Sequence, residues 1–250
     1  MIDDRLPLLL LPGTLCDARV FASILPSAHA TIVADLTGET DMVALAESVL
    51  AHAPPRFIAL GFSLGGIVAL EIAARAPDRV AAMVLIATTA RAVPVSQHAQ
   101  RRAQAAGAKD AVALIDEILW WSYVHPDRIA DPALHERVCA MARDCPPGSF
   151  ARQTEVALSR FDSRPRLPGY EMPVLILSGT DDVVAQPDTQ AELAAGLPNA
   201  RIETIPAAGH FVTLEQPALC ANAIARWLVD LSQGVLTPLS SHVPGTLEVS

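Results

Sequence analysis

Short apolar stretches recur along the chain of 250 residues, and segments with helical spacing separate them. Several of these stretches do not alternate between apolar and polar residues, which is typical of parallel strands covered on both faces. The predicted strands are residues 6–11, 30–35, 56–61, 80–87, 173–179 and 201–206. The predicted helices between and after them are residues 40–52, 65–76, 188–196 and 216–231. This alternation predicts an α/β fold with a doubly wound, mostly parallel sheet.

The alternation is interrupted after the fourth predicted strand. Residues 92–170 contain no good strand candidate, and we expect them to form a helical cap over the sheet edge, with a purely structural subdomain as the alternative. The helices expected there cover roughly 95–106, 109–123, 131–143 and 149–160. The core domain would then comprise residues 1–91 and 171–231, and residues 232–250 would be a C-terminal tail.

Four chemically suggestive segments follow predicted strands. "LPGTLCD" follows the first strand, "GFSLGG" the third, "SGTDD" the fifth and "AAGHF" the sixth. The carboxyl ends of parallel strands meet at one edge of a sheet, where ligands bind. A histidine can take the proton of a serine hydroxyl, and a carboxylate can hold that histidine in the required tautomer. The four segments therefore predict nucleophilic acyl transfer at this edge.

The glycines around Ser63 are explained by a sharp turn from strand to helix. Side chains at Gly61 and Gly65 are expected to collide with the neighbouring strand and helix. The turn would also place Ser63 near a helix N-terminus, whose N–H groups can stabilise an oxyanion.

These motifs, in the order Ser, Asp, His, resemble the α/β-hydrolase superfamily over nearly the whole chain. The resemblance implies that Ser63 is the nucleophile, Asp182 the acid and His210 the base. Asp181 is the rival for the acid, and the spacing from the end of the strand favours Asp182.

The resemblance also implies an oxyanion hole formed by the backbone N–H groups of Leu64 and Thr14. Pro12-Gly13 stands where such proteins often have His-Gly, and Phe62 stands where a histidine often precedes the nucleophile. The first predicted strand corresponds to the strand that is usually third. We therefore expect an α/β-hydrolase fold of about six strands without the two N-terminal ones.

The function that this resemblance implies is a serine hydrolase that cleaves a small carboxylic ester through an acyl-enzyme. The same triad also serves carbon–carbon bond hydrolases, lactonases, thioesterases and lyases, and some members of the fold are slow-turnover small-molecule receptors. We expect no metal and no organic cofactor. A serine at the turn argues against the dehalogenases and epoxide hydrolases of this fold, which have a carboxylate there.

Five side chains are candidates for the substrate pocket, because they flank the catalytic motifs or end a helix of the predicted cap. They are Phe62, Leu15, Trp120, Trp121 and Phe211. Cys16 lies near the predicted oxyanion loop and is interpreted as a small apolar wall residue.

Charge and cysteine usage exclude several other classes. The formal net charge is -9 and the basic residues are scattered, which argues against a nucleic-acid partner. The four cysteines have no zinc-like spacing and are expected to be free thiols. The apolar run at 57–74 could suggest a membrane span, but its glycines and serine favour a strand, a turn and a helix. The N-terminus shows no export signal, so we expect a cytoplasmic protein that binds a small molecule and no membrane.

Overall fold

The six predicted strands form one parallel sheet in the computed structural model, which describes residues 6–27, 29–107 and 110–235. The strand order is β2-β1-β3-β4-β5-β6, with every neighbouring pair parallel. The strands are β1 Leu8–Leu11, β2 Thr31–Val33, β3 Phe57–Phe62, β4 Val80–Ile86, β5 Val174–Gly179 and β6 Ala200–Ile205. The predicted six-stranded α/β architecture is confirmed.

Helices cover both faces of the sheet, as the apolar strands predicted. Leu8 and Leu10 of β1 pack into one buried cluster, whereas Leu9 and Leu11 pack into another on the opposite face. The helices outside the long insertion are α1 Met42–His52, α2 Leu64–Arg75, α8 Pro187–Gly196, α9 Val212–Glu215 and α10 Pro217–Gln233. The four central strands β1, β3, β4 and β5 are buried along their whole length, so their side chains become available for chemistry only at the strand ends.

The last helix is longer than predicted. α10 continues through Ser232 to Gln233, and the next residue, Gly234, has a left-handed φ of 69°. Glycine adopts this conformation without the steric cost that other residues meet, so the helix stops there rather than at the predicted start of the tail. Residues 236–250 of the predicted tail lie outside the described residues.

The helical segment, residues 92–170, contains five α-helices and no strand within its described residues 92–107 and 110–170. They are α3 His98–Gly107, α4 Ala111–Leu114, α5 Trp120–Tyr123, α6 Pro132–Asp144 and α7 Ser149–Ser159. The helix expected over 109–123 is present from Ala111 to Tyr123, but a π turn at Ile115–Leu119 separates α4 from α5. Side-chain periodicity does not reveal the wider turn, which brings Asp116 against His135 of α6.

The long apolar run at 57–74 is divided by Ser63 into β3 and α2. In the part of the chain that the structure describes, no helix combines the length and the apolar character needed to cross a membrane.

Candidate active site

Ser63 occupies a strained turn between β3 and α2. Its φ of 50° and ψ of -112° lie outside the regions that ordinary side chains adopt readily. Two contacts hold the turn: the N–H of Ser63 donates to the carbonyl of Ile86 at 2.9 Å, and the Thr88 hydroxyl donates to the carbonyl of Ser63 at 2.7 Å. Such strain costs about 1–3 kcal/mol and persists only where the surroundings enforce it.

The glycines beside Ser63 are required by close backbone approaches. A Cβ atom on Gly65 would lie 1.8 Å from the carbonyl oxygen of Leu11 at the end of β1. A Cβ atom on Gly61 would lie 2.5 Å from the carbonyl oxygen of Gly65. The predicted collisions with strand and helix are confirmed. Because these glycines have no side chain, the end of β1 and the loop after it can lie directly against the turn.

The structure brings Ser63, His210 and Asp182 into one hydrogen-bonded chain. His210 Nε2 lies 2.9 Å from Ser63 Oγ, and His210 Nδ1 lies 2.9 Å from Asp182 Oδ2. His210 and Asp182 are each 2% exposed, whereas Ser63 is half-buried at the surface of the site. This arrangement allows a proton to pass from the serine to an imidazole whose other nitrogen is held by a carboxylate.

The carboxylate of Asp182 is kept ionised despite its burial. Burial alone would raise its pKa, but His210 and the N–H groups of Val184 and Ala185 hold the pKa below its usual value. Both N–H groups donate to Asp182 Oδ1 at 2.8 Å, which leaves Oδ2 for the histidine. The loop after β5 therefore both favours the ionised form of this carboxylate and orients the side chain.

Asp181, the rival aspartate, points elsewhere. Its Oδ2 accepts a hydrogen bond from the Thr180 hydroxyl at 2.5 Å and lies 3.5 Å from His125 Nε2. Its side chain is 46% exposed. Of the two aspartates, only Asp182 contacts His210.

Aromatic rings enclose the imidazole of His210. The Tyr123 ring meets it edge-on with centroids 4.8 Å apart, and the Phe62 ring lies 5.4 Å away. Phe211 stacks next to Phe62 at 5.8 Å. Phe62 and Phe211, two of the predicted pocket residues, therefore form the apolar wall behind the histidine.

The two predicted oxyanion donors lie at the ends of neighbouring elements. Leu64 is the first residue of α2, so its N–H has no acceptor within the helix. Thr14 follows β1 in the loop that crosses the turn. The next residue, Leu15, has a φ of 54°, and its N–H donates to Gln153 Oε1 at 3.0 Å. Gln153 also donates to the carbonyl of Leu36 at 3.3 Å, so one buried amide fastens the loop.

A cavity of about 680 Å³ opens within the helical segment beside this loop. Leu15 forms part of its wall, together with residues of α3, α4, α6 and α7 such as Ala111, Ala142 and Phe150. Arg143 and Asp110 also line it. Because Leu15 adjoins Thr14, the cavity lies next to the predicted oxyanion loop.

The two predicted pocket tryptophans lie away from this cavity. Trp120 is 4% exposed, and its indole N–H donates to the carbonyl of Ile129 at 3.1 Å. Trp121 is 64% exposed and lies in a shallow groove beside Asp181 and Asp182. The structure therefore buries Trp120 in the core and exposes Trp121 at the surface.

Cys16 is buried next to the oxyanion loop, where its thiol donates to the carbonyl of Thr14 at 3.3 Å. Burial raises the pKa of this thiol, which keeps it protonated and poorly nucleophilic. A wall residue is the interpretation that fits this environment.

One group among the described residues has donor atoms spaced for a metal ion: Asp116, His135 and Cys139. The carboxylate and the imidazole Nε2 are 2.7 Å apart, and the thiol lies 3.7 Å from that nitrogen. The short contact is a hydrogen bond that satisfies both partners without an ion. This group lies between the π turn and α6, away from Ser63.

Sequence reasoning missed Gln153 and Glu215, two buried polar residues next to the predicted site. Gln153 stands in an ordinary amphipathic helix, and no local pattern distinguishes it. Glu215 lies five residues after His210 in "GHFVTLEQP", where a charge among apolar residues is a usable signal.

Comparisons with known proteins agree with this fold. The sequence model described as "Alpha/beta hydrolase family" matches residues 8–223. A pimeloyl-[acyl-carrier protein] methyl ester esterase of Neisseria meningitidis serogroup A is 30% identical over 246 residues, covering 91% of this chain and 77% of that protein. Among solved structures, a hydrolase from Pseudomonas aeruginosa is 26% identical with a TM-score of 0.79, and the alignment covers 91% of each chain. A thermophilic esterase from Thermogutta terrifontis is 25% identical with a TM-score of 0.78, covering 93% of this chain and 91% of the other.

Fold and site together define an α/β protein in which Ser63, His210 and Asp182 are hydrogen-bonded at the carboxyl edge of a parallel sheet. With the family match over most of its length, the chain belongs to the α/β-hydrolase family.

Proposed function

We propose that this protein is a serine hydrolase that cleaves small carboxylic esters through an acyl-enzyme. The observation that carries the proposal is the chain of two 2.9 Å contacts from Ser63 Oγ to His210 and from His210 to Asp182. The esterases among its relatives support ester bonds as the substrate class.

In the first half-reaction His210 Nε2 takes the proton of Ser63 as Oγ bonds to the ester carbonyl carbon. Asp182 keeps Nδ1–H in place and stabilises the imidazolium that forms. The tetrahedral adduct then collapses, the bond to the alcohol oxygen breaks, and the alcohol leaves with the proton from His210. Water attacks the acyl-enzyme by the reverse proton route and releases the carboxylic acid together with free Ser63.

The N–H groups of Leu64 and Thr14 are the donors that we assign to the oxyanion. One donor of this kind contributes about 3 kcal/mol to the stabilisation of the transition state, or roughly a hundredfold in rate. The reaction requires no metal or organic cofactor in this scheme. We assign the acyl group to the side of Leu15 and the cavity in the helical segment, which acts as the cap over the site.

The test compares purified wild-type protein with Ser63→Ala, using a fluorophosphonate probe and short p-nitrophenyl esters. We expect probe labelling to vanish and turnover to fall at least about a thousandfold, because the residual rate comes only from binding and the oxyanion donors. Ser122→Ala is the control, since Ser122 is an exposed serine of the helical segment.

Each alternative outcome has a defined meaning. Labelling that survives Ser63→Ala would refute Ser63 as the nucleophile. Labelling of the wild type without appreciable ester turnover would refute the esterase assignment and would favour a carbon–carbon bond hydrolase, a lyase or a receptor.

A further inference from the structure

Glu215 is a buried carboxylate that the proposed mechanism does not use. It ends α9, five residues after His210, and is 2% exposed. Burial raises the pKa of this carboxyl, and backbone N–H groups oppose that rise. A carboxylate withdrawn from water is costly unless its oxygens are hydrogen-bonded, so its partners should indicate its role.

Those partners are two backbone N–H groups from different parts of the chain. Glu215 Oε2 accepts from the N–H of His125 at 2.8 Å and from the N–H of Gly209 at 3.1 Å. Gly209 immediately precedes His210, whereas His125 belongs to the helical segment. One side chain therefore joins the loop that carries the histidine to the segment that lies over it.

The same two stretches of backbone are also joined directly. The N–H of His210 donates to the carbonyl of Tyr123 at 2.7 Å. A Cβ atom on Gly209 would lie 2.8 Å from the nitrogen of His125 and 2.9 Å from the carbonyl oxygen of Tyr123, so this approach requires glycine. Glu215 thus closes a ring of backbone contacts around His210.

Arg128 also binds the backbone of this region, but its guanidinium does not pair with the carboxylate of Glu215. Its guanidinium donates to the backbone carbonyl of Glu215 at 2.6 Å and to Asp131 at 2.7 Å. The carboxylate oxygens of Glu215 remain directed at the two N–H groups, which indicates a positional rather than an ion-pairing role.

We propose that Glu215 is a positioning residue, which holds the backbone of His210 against residues 123–125 so that the imidazole reaches Ser63. This inference rests on the proposed function. Catalysis by an oriented base is sensitive to displacements of about 1 Å, which can cost roughly a hundredfold in rate. Removing the carboxylate would free the loop that contains Gly209 and so lengthen the distance from His210 Nε2 to Ser63 Oγ. The oxyanion loop after β1 would not be affected directly, because the carboxylate of Glu215 is not hydrogen-bonded to it.

The experiment measures kcat and KM for p-nitrophenyl esters in Glu215→Gln and Glu215→Ala. The amide of Glu215→Gln keeps an acceptor oxygen but presents N–H groups to one of the two donors. We expect kcat to fall roughly tenfold in Glu215→Gln and roughly a hundredfold in Glu215→Ala, with KM changed less than about threefold. Glu203→Gln is the matched control, because Glu203 lies on β6 and pairs with Arg226 at 2.7 Å.

A second readout separates positioning from stability. The downfield proton resonance of His210 Nδ1–H reports its contact with Asp182, and we expect it to shift or broaden in folded Glu215→Gln well below the melting temperature. A lower Tm with unchanged kcat and an unchanged resonance would overturn the proposal, and so would failure of both variants to fold. Activity that survives Ser63→Ala would instead refute the proposed function, so the two failures are distinguishable.

Discussion

The turn that carries Ser63 and the helical segment of residues 92–170 are built in opposite ways. Around the turn, backbone presses on backbone, with Gly65 so close to Leu11 that no side chain fits between them. The helical segment instead has a broken helix, an exposed Trp121 and a cavity of about 680 Å³. One region tolerates almost no change in shape, and the other leaves space.

This difference separates two tasks. Groups that move protons must be held to within a fraction of an ångström, so they lie on tightly packed elements at the sheet edge. Groups that select a substrate need room that can be reshaped by substitution in the helices. Four substitutions test this division, and their expected effects decrease in order.

The largest effect is expected for Gly65→Ala. The new Cβ would overlap the carbonyl of Leu11, which is backbone and cannot rotate away, so we expect loss of folded, soluble protein. Gly107→Ala is the control, because a Cβ there meets nothing within 4 Å. Circular dichroism and thermal melting measure both, and a folded Gly65→Ala with wild-type Tm would show that the turn is looser than we infer.

Next comes Asp182→Asn, for which we expect kcat to fall roughly 10³- to 10⁴-fold, because an amide no longer stabilises the histidine in the required tautomer. Asp181→Asn differs by one position and should change kcat less than about threefold, since Asp181 does not contact His210. Steady-state kinetics on the two variants decide the assignment, and equal losses would contradict it.

A smaller effect is expected for Gln153→Leu. The N–H of Leu15 loses its buried acceptor, so we expect a loss of about 1–3 kcal/mol in the free energy of unfolding. We also expect roughly a tenfold loss in kcat, as Thr14 is held less firmly. Gln100→Leu, at an exposed position of α3, is the control for a change of residue type. If Gln153→Leu were destabilised but kept the wild-type kcat, Gln153 would have only a structural role.

The smallest effect is expected inside the cavity. Ala111→Phe narrows it without touching the sheet edge, so we expect kcat/KM to fall a few-fold for long acyl chains and to stay constant for acetate esters. Ala103→Phe on exposed α3 is the control. An acyl-chain series of p-nitrophenyl esters measures the effect, and an equal loss across the series would exclude this cavity as the acyl site.

Much of the fold could be predicted because its signals are local. Short stretches rich in apolar or β-branched residues identified all six strands, and glycines at Gly61 and Gly65 indicated the turn at Ser63. The segments after the strands also contained the side chains that now lie together, because strand ends in a parallel sheet converge whatever their distance along the chain.

The sequence did not predict the contacts between segments that are far apart along the chain. Leu15 and Gln153 are 138 residues apart, and neither stretch shows that an amide of one would fasten the other. The burial of Trp120 and the exposure of Trp121 depend on how α5 packs after a π turn, and the side-chain pattern of 109–123 does not predict that turn.

By itself, then, the sequence determined the kinds of elements and their order, since local periodicity encodes these. It also indicated that Ser63, His210 and the aspartate pair lie near one another, because the ends of parallel strands converge. The spacing favoured Asp182 over Asp181, and the tertiary structure showed that Asp182 contacts His210. The tertiary structure alone decided that Glu215 joins the histidine loop to residues 123–125. The reason is physical: element type follows from neighbours along the chain, whereas hydrogen-bond partners are chosen by packing among side chains brought together only when the whole domain folds.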